Sequence, residues 1–164
     1  GALIDCDFDG DSALLGYSLK SFGEDSDKLS CQKTLPLAKF PPESNKKTAT
    51  PFEMDGRAVY NFTTKIVPTV ITAAVEDSGL GLDQIDRFVL HQANARIVQA
   101  AAKRLSIPLD KFYVNIEEYA NTSSASIPIA LTEMSEKGLL KTNDLIMLVG
   151  FGAGLTYGAA VIRW

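Results

Sequence analysis

The sequence predicts an α/β layered domain (α/β/α) built on a mixed sheet. Two observations carry that expectation. Short apolar, strand-type runs alternate with longer segments of helical period, and glycine or proline stands at most of the boundaries. The expected order is approximately ββ-α-β-α-α-ββ, and 164 residues suffice for one domain with a sizeable core.

The elements follow in order. Residues 2–6 read as a short apolar strand and residues 12–19 as a second, with Asp9-Gly10 as the turn between them. From residue 23 to 51 the pattern dissolves into polar residues and four prolines, Pro36, Pro41, Pro42 and Pro51. Long loops of this kind inside a domain often cover a site. Residues 56–78 place Val59, Phe62, Ile66, Val67, Val70, Ile71 and Ala74 close to a 3.6-residue repeat, which predicts a helix. Pro68 is expected to kink it, and Gly79 and Gly81 to stop it. Residues 87–90 form a buried-type strand that ends at His91, and residues 94–105 form an amphipathic helix closed by Pro108. A polar turn from Asn121 opens a further helix that reaches about Lys137 and ends at Gly138. Residues 145–150 and 155–163 are strands joined by a glycine-rich turn.

Composition removes several function classes. Hydrophobic residues make up 46% and charged residues 22%, an ordinary folded composition. A net charge of −4 gives no overall drive toward nucleic acid or anionic lipid. No run of about 18 apolar residues exists, so no membrane span is expected. No basic segment precedes an apolar stretch at the start, so no signal peptide is expected. Cys6 and Cys31 are too few for a disulfide framework, and with one histidine they offer no zinc constellation. A reducing, cytoplasmic setting is the corresponding expectation. The chain opens without Met on strand-like residues, which reads as a fragment or cleaved product, or as a tag scar before a domain.

His91 is the sole imidazole and sits where a strand gives way to a loop, a favoured position for ligands in α/β sheets. A buried histidine that only satisfies a hydrogen bond is the plain alternative. Asn121 reads either as a helix N-cap or as an amide donor near a helix N-terminus. Pro128 means that a helix starting at Asn121 kinks, or that the helix begins later. The glycine-rich run from Gly150 to Gly158 is not a dinucleotide fingerprint, because a strand follows where a helix is needed. It reads as a tight turn that offers a backbone N–H to an oxyanion. Asp5, Asp7, Asp9 and Asp11 resemble half a calcium loop, but Gly16 stands where the bidentate Glu belongs. Arg96, Lys103 and Arg104 share one side of the helix after His91, with Ile97, Val98, Ala101, Ala102 and Leu105 on the other. They form either a solvated polar face or a docking patch for an acidic carrier.

Three strings occur in order: His91-Gln92-Ala93-Asn94-Ala95-Arg96-Ile97, then Asn121-Thr122-Ser123-Ser124-Ala125-Ser126, then Phe151-Gly152-Ala153-Gly154-Leu155-Thr156-Tyr157-Gly158. Together they resemble β-ketoacyl-ACP synthase III of the thiolase-like superfamily, and residues 1–164 resemble its C-terminal domain with the N-terminal half absent. The resemblance implies a Cys-His-Asn triad, in which a cysteine accepts an acyl group from acyl-CoA. The His and Asn assist decarboxylation of malonyl-ACP, in the initiating condensation of fatty-acid synthesis. His91 and Asn121 match the last two members. The nucleophilic cysteine belongs to the absent half, and neither Cys6 nor Cys31 stands in a matching motif, so this chain alone is expected to be inactive in the full condensation. Ala153 matches the position that supplies a backbone N–H to the oxyanion hole, often a glycine in the family. Met54, Gly56, Tyr60 and Asn94 match the substrate and CoA tunnel, with Tyr60 where the family often has Phe. Arg96, Lys103 and Arg104 match the basic patch that meets acyl carrier protein. The resemblance further implies acyl-CoA as substrate, no cofactor, no metal, and a homodimer. Two alternatives stand beside it. One is another thiolase-superfamily acyltransferase, such as a polyketide or quinolone starter enzyme or a methylglutaryl-CoA-type synthase. The other is a non-catalytic module that binds CoA or a carrier.

Overall fold

The computed structural model describes residues 14–31 and 52–164. The strand expected over residues 2–6, the Asp9-Gly10 turn and the calcium-type loop ahead of residue 14 lie outside the described residues, as does Cys6.

A four-stranded mixed sheet forms the centre. Strands β1 (Leu14–Ser21), β4 (Arg87–Leu90), β5 (Leu145–Gly152) and β6 (Thr156–Arg163) lie in the order β1-β6-β5-β4. The β1–β6 and β5–β6 pairs are antiparallel, and the β4–β5 pair is parallel. The layered α/β expectation therefore stands, with one change in the loop after residue 22. Gly23–Lys28 is a 3₁₀ turn, and β2 (Leu29–Cys31) pairs antiparallel with β3 (Phe52–Met54). A three-residue strand shows no alternation of its own, and its partner is distant in sequence, so local pattern is blind to it.

The long helix α1 (Gly56–Ser78) has the predicted bounds. The Asp55 carboxylate accepts from the Ala58 amide at 2.9 Å, capping its start. Gly79 closes it at φ 70°, the left-handed conformation that favours glycine. Pro68 sits inside this helix and does not end it. It removes one amide donor, while Val67, Val70 and Ile71 on either side stay buried in the core. Gly16 brings β1 directly against α1. A Cβ there would lie 2.4 Å from the Ser78 nitrogen and 2.7 Å from the Ala74 oxygen.

Helix α2 (Ala95–Leu105) begins one residue after the expected Asn94, which is its N-cap. The four-residue helix α3 (Ile116–Tyr119) is an addition to the predicted order. Helix α4 (Ser126–Glu136) starts later than Asn121, after a 3₁₀ turn over Ser123–Ala125. Pro128 thus falls in its first turn, where no intrahelical amide is lost, and this settles the alternative left open by the sequence.

Strand alternation sorts the core into two layers. Phe88, Leu90, Met147, Val149, Tyr157, Ala159 and Val161 face α1 and α2. Val89 and Ile146 face Ala130 and Met134 of α4 on the other side. Helix α4 covers only the β4–β5 side of that second face. Toward β1 the same face carries Tyr17 and Leu19, 55% and 68% exposed, opposite Ala160 and Gly158. No described helix is long and apolar enough to cross a membrane.

Candidate functional site

The uncovered part of the sheet forms one wall of a wide concavity of ≈ 1460 Å³. His91, Asn121, Ala153 and Met54 all line it, together with Phe151 and Ser126. The fold thus brings the ends of β4 and β5 and the turn before α4 to one place, at the carboxyl ends of the two parallel strands.

His91 is fixed from three sides. Its amide donates to the Val149 carbonyl at 2.8 Å, which extends the β4–β5 pairing by one residue. Its ring and that of Phe151 meet edge to face, with centroids 5.2 Å apart at 67°. Its Nδ1 lies 2.6 Å from the Ser126 hydroxyl. Burial removes water from the imidazolium and holds its pKa below the ordinary value. His91 therefore stands neutral at pH 7. Its titration in the folded protein, followed by imidazole NMR, is expected to centre below about 6.5. Between that midpoint and about 6.5 the unfolded chain takes up a proton that the folded one refuses, so stability falls as pH drops through this window and is flat above it.

Asn121 is exposed and lies outside any helix. Its Oδ1 accepts from the Ser123 amide at 3.0 Å, a side-chain turn that orients the carboxamide. That leaves its Nδ2 donor without an acceptor among the described residues. The site then sets an imidazole and a carboxamide at the border of one apolar hollow. Ala153 lies in the β5–β6 turn, its carbonyl accepting from the Thr156 hydroxyl at 2.9 Å. Its φ lies outside the left-handed region, so alanine suits this position without strain.

The other sequence-derived positions divide. Met54 lines the hollow from the end of β3. Gly56 starts α1 away from the lining, and Tyr60 packs onto the main core, its carbonyl accepting from the Thr63 and Thr64 hydroxyls. Asn94 caps α2, accepting from the Arg96 amide at 2.9 Å, while its neighbour Ala93 reaches the hollow. Arg96, Lys103 and Arg104 are exposed on α2, whose opposite side buries Ile97, Val98, Ala101 and Ala102.

Sequence reasoning assigned no role to Gln92. It is 2% exposed, and its Nε2 donates to the carbonyls of Leu90 at 2.8 Å and Tyr113 at 3.2 Å. Its Oε1 accepts from the Asn115 amide at 3.1 Å. Asn115 Nδ2 in turn donates to Glu133 Oε2 at 2.7 Å, and Lys137 donates to Glu133 Oε1 at 2.6 Å. Lys137 first and Asn115 second hold the Glu133 carboxyl below the usual carboxylate range. A polar residue directly after a candidate histidine, at the end of a buried strand, was the one available signal for this network.

Residues 75–164 match the family described as 3-oxoacyl-[acyl-carrier-protein] synthase III, C terminal. Over 154 residues the chain is 41% identical to a β-ketoacyl-[acyl-carrier-protein] synthase III of Clostridium acetobutylicum, covering 94% of this chain and 47% of that protein. Over 150 residues it is 47% identical to the protein of the same name from Lactobacillus delbrueckii subsp. bulgaricus, covering 92% and 46%. The crystal structure of the Thermus thermophilus β-ketoacyl-[acyl-carrier-protein] synthase III superposes with a TM-score of 0.81 at 37% identity, over 93% of this chain and 46% of that one. The chain spans about half the length of the curated relatives it matches.

Proposed function

Since the chain belongs to the β-ketoacyl-ACP synthase III family and matches its C-terminal half, we propose that it supplies the decarboxylation half-site of a condensing enzyme that joins acyl-CoA to malonyl-ACP. The observation that carries this reading is the meeting of His91 and Asn121, two neutral donors, on one apolar hollow. Loss of CO₂ from a malonyl thioester leaves negative charge on the thioester oxygen. Two N–H groups in a partly dry site stabilise that charge, each worth about 3–4 kcal/mol in comparable sites. A neutral imidazole also avoids pairing with the carboxylate that must depart, which would hold the ground state back. The ring of Phe151 against His91 keeps water from one side of it.

The nucleophile comes from an N-terminal half, which covers the apolar sheet face around Tyr17 and Leu19 and completes the hollow. The carbon–carbon bond then forms when the enolate attacks an acyl group on that half's cysteine, with the Ala153 amide stabilising the acyl-transfer oxyanion. The reaction needs no cofactor, and the full-length enzyme acts as a cytoplasmic homodimer. Incubated alone with acyl-CoA and malonyl-ACP, this chain is expected to give no condensation product, and addition of the N-terminal half restores it. Turnover by the isolated chain through an acylated Cys6 or Cys31 would overturn this reading.

Helix α2 is the docking face for the acidic carrier protein, its exposed Arg96 backed by Lys103 and Arg104. Arg96→Glu in the full-length enzyme is expected to raise KM for the malonyl carrier well above any change in KM for acyl-CoA, with a steep dependence on salt. Steady-state kinetics with each substrate varied at two ionic strengths checks this. An unchanged carrier KM removes the docking assignment.

A further inference from the structure

We infer that Ser126 is a positioning residue whose hydroxyl donates to His91 Nδ1 and thereby fixes the imidazole in the tautomer that carries its proton on Nε2. The inference deepens the decarboxylation reading and rests on it for its chemical purpose, though its readout does not.

The argument is one of hydrogen-bond accounting. Ser126 is 3% exposed, so its hydroxyl has little water to turn to. Two groups contact that oxygen: the Gln92 amide at 3.3 Å and His91 Nδ1 at 2.6 Å. The Gln92 amide can only donate, so the hydroxyl accepts there. If Nδ1 also carried a proton, the hydroxyl would accept twice, and its own hydrogen would be buried with no acceptor among the described residues. A buried donor left without an acceptor loses its hydrogen bond to water and gains none in return. If Nδ1 is bare, the hydroxyl accepts once and donates once, and both partners are satisfied. The neutral ring then holds its proton on Nε2, the nitrogen with no partner among the described residues. That is the nitrogen able to donate into the hollow.

The surroundings hold this arrangement in register. Ser126 and Glu133 stand seven residues apart on α4, on the same face of the helix. Glu133 is anchored to Asn115, and Asn115 to Gln92, the residue whose amide orients the Ser126 hydroxyl. Helix α4 is thus tied to the segment after β4 directly through Ser126 and, by way of Asn115, through Glu133. Neither Ser123 nor Ser124, both exposed, is placed in this way.

The test uses the single histidine of the chain, whose ring signals need no assignment against others. Long-range ¹H–¹⁵N spectra of imidazole-labelled protein at pH 7.5 or above report which nitrogen is protonated. The wild-type protein is expected to show the Nε2–H tautomer. Ser126→Ala is expected to shift the ring toward a mixture with Nδ1–H, and Ser126→Thr, which keeps the hydroxyl, to restore the wild-type pattern. A wild-type ring protonated on Nδ1 overturns the inference with no substitution at all, and so does a Ser126→Ala ring that stays wholly Nε2–H. Malonyl decarboxylation by the full-length enzyme is read separately. An Nε2–H tautomer that depends on Ser126 supports the inference even where decarboxylation is absent, and that absence overturns the functional reading alone.

Discussion

Replacing His91 by alanine in the full-length enzyme is expected to slow malonyl decarboxylation about 100- to 1000-fold, while acyl transfer from acyl-CoA to the cysteine stays within a few-fold of wild type. The asymmetry follows from where charge develops. In decarboxylation the growing charge sits on the malonyl thioester oxygen, so a lost donor is felt only as the transition state forms and appears in kcat. Acyl transfer develops its charge at a different carbonyl, which the proposal assigns to the Ala153 amide rather than to this pair. Asn121→Ala is expected to behave alike, because its Nδ2 is the second donor on the same hollow. Release of CO₂ from malonyl-ACP and loss of free thiol on incubation with acyl-CoA measure the two half-reactions in one preparation. Equal loss of both would remove the assigned roles.

Phe88→Ala is expected to cost about 3–5 kcal/mol of folding stability, the largest effect of any single truncation considered. Phe88 is fully buried on β4 and stacks on Phe112 with ring centroids 4.7 Å apart at 20°. Its carbonyl also accepts from the Tyr113 amide at 3.0 Å, so the ring and the backbone together attach the segment leading to α3 to the sheet. Truncation leaves a void between α1, α2 and the sheet that rigid neighbours such as Ile71 and Met147 fill only in part. Urea denaturation read by circular dichroism measures the loss. A shift below about 1 kcal/mol would mean that this part of the core collapses without resistance. Phe88 lies on the strand that leads directly into His91, so partial activity in the surviving folded fraction would also report how rigidly β4 aims the site.

The parts of this account legible in the sequence are those set by local pattern. The bounds of α1 follow from a clean 3.6-residue repeat closed by Gly79, and β4 from Arg87 followed by three apolar residues that lead to His91. The mixed sheet follows from the alternation of these elements with the β5–β6 hairpin. What stayed hidden depends on contacts far apart in sequence. The β2–β3 pair joins short segments across the intervening residues 32–51, and α3 is a single turn with no period to detect. In the run from Asn121 to Ser126, several side chains have equal claim to a polar role when read as letters. Only the register of α4, set by Glu133 against Asn115, singles out Ser126 as the partner of His91. The contact of Tyr60 is a further case, because the phase of α1 that packs it against the main core is set by tertiary contacts.

The central claim is that His91 and Asn121 together receive the thioester oxygen of the malonyl substrate. A crystal structure of the full-length enzyme with a malonyl thioester analogue that cannot lose CO₂ tests it most directly. The account predicts that oxygen about 2.7–3.1 Å from both His91 Nε2 and Asn121 Nδ2, with the carboxylate turned away from the pair. A carboxylate seated on the pair, or a thioester oxygen bound elsewhere, would contradict it.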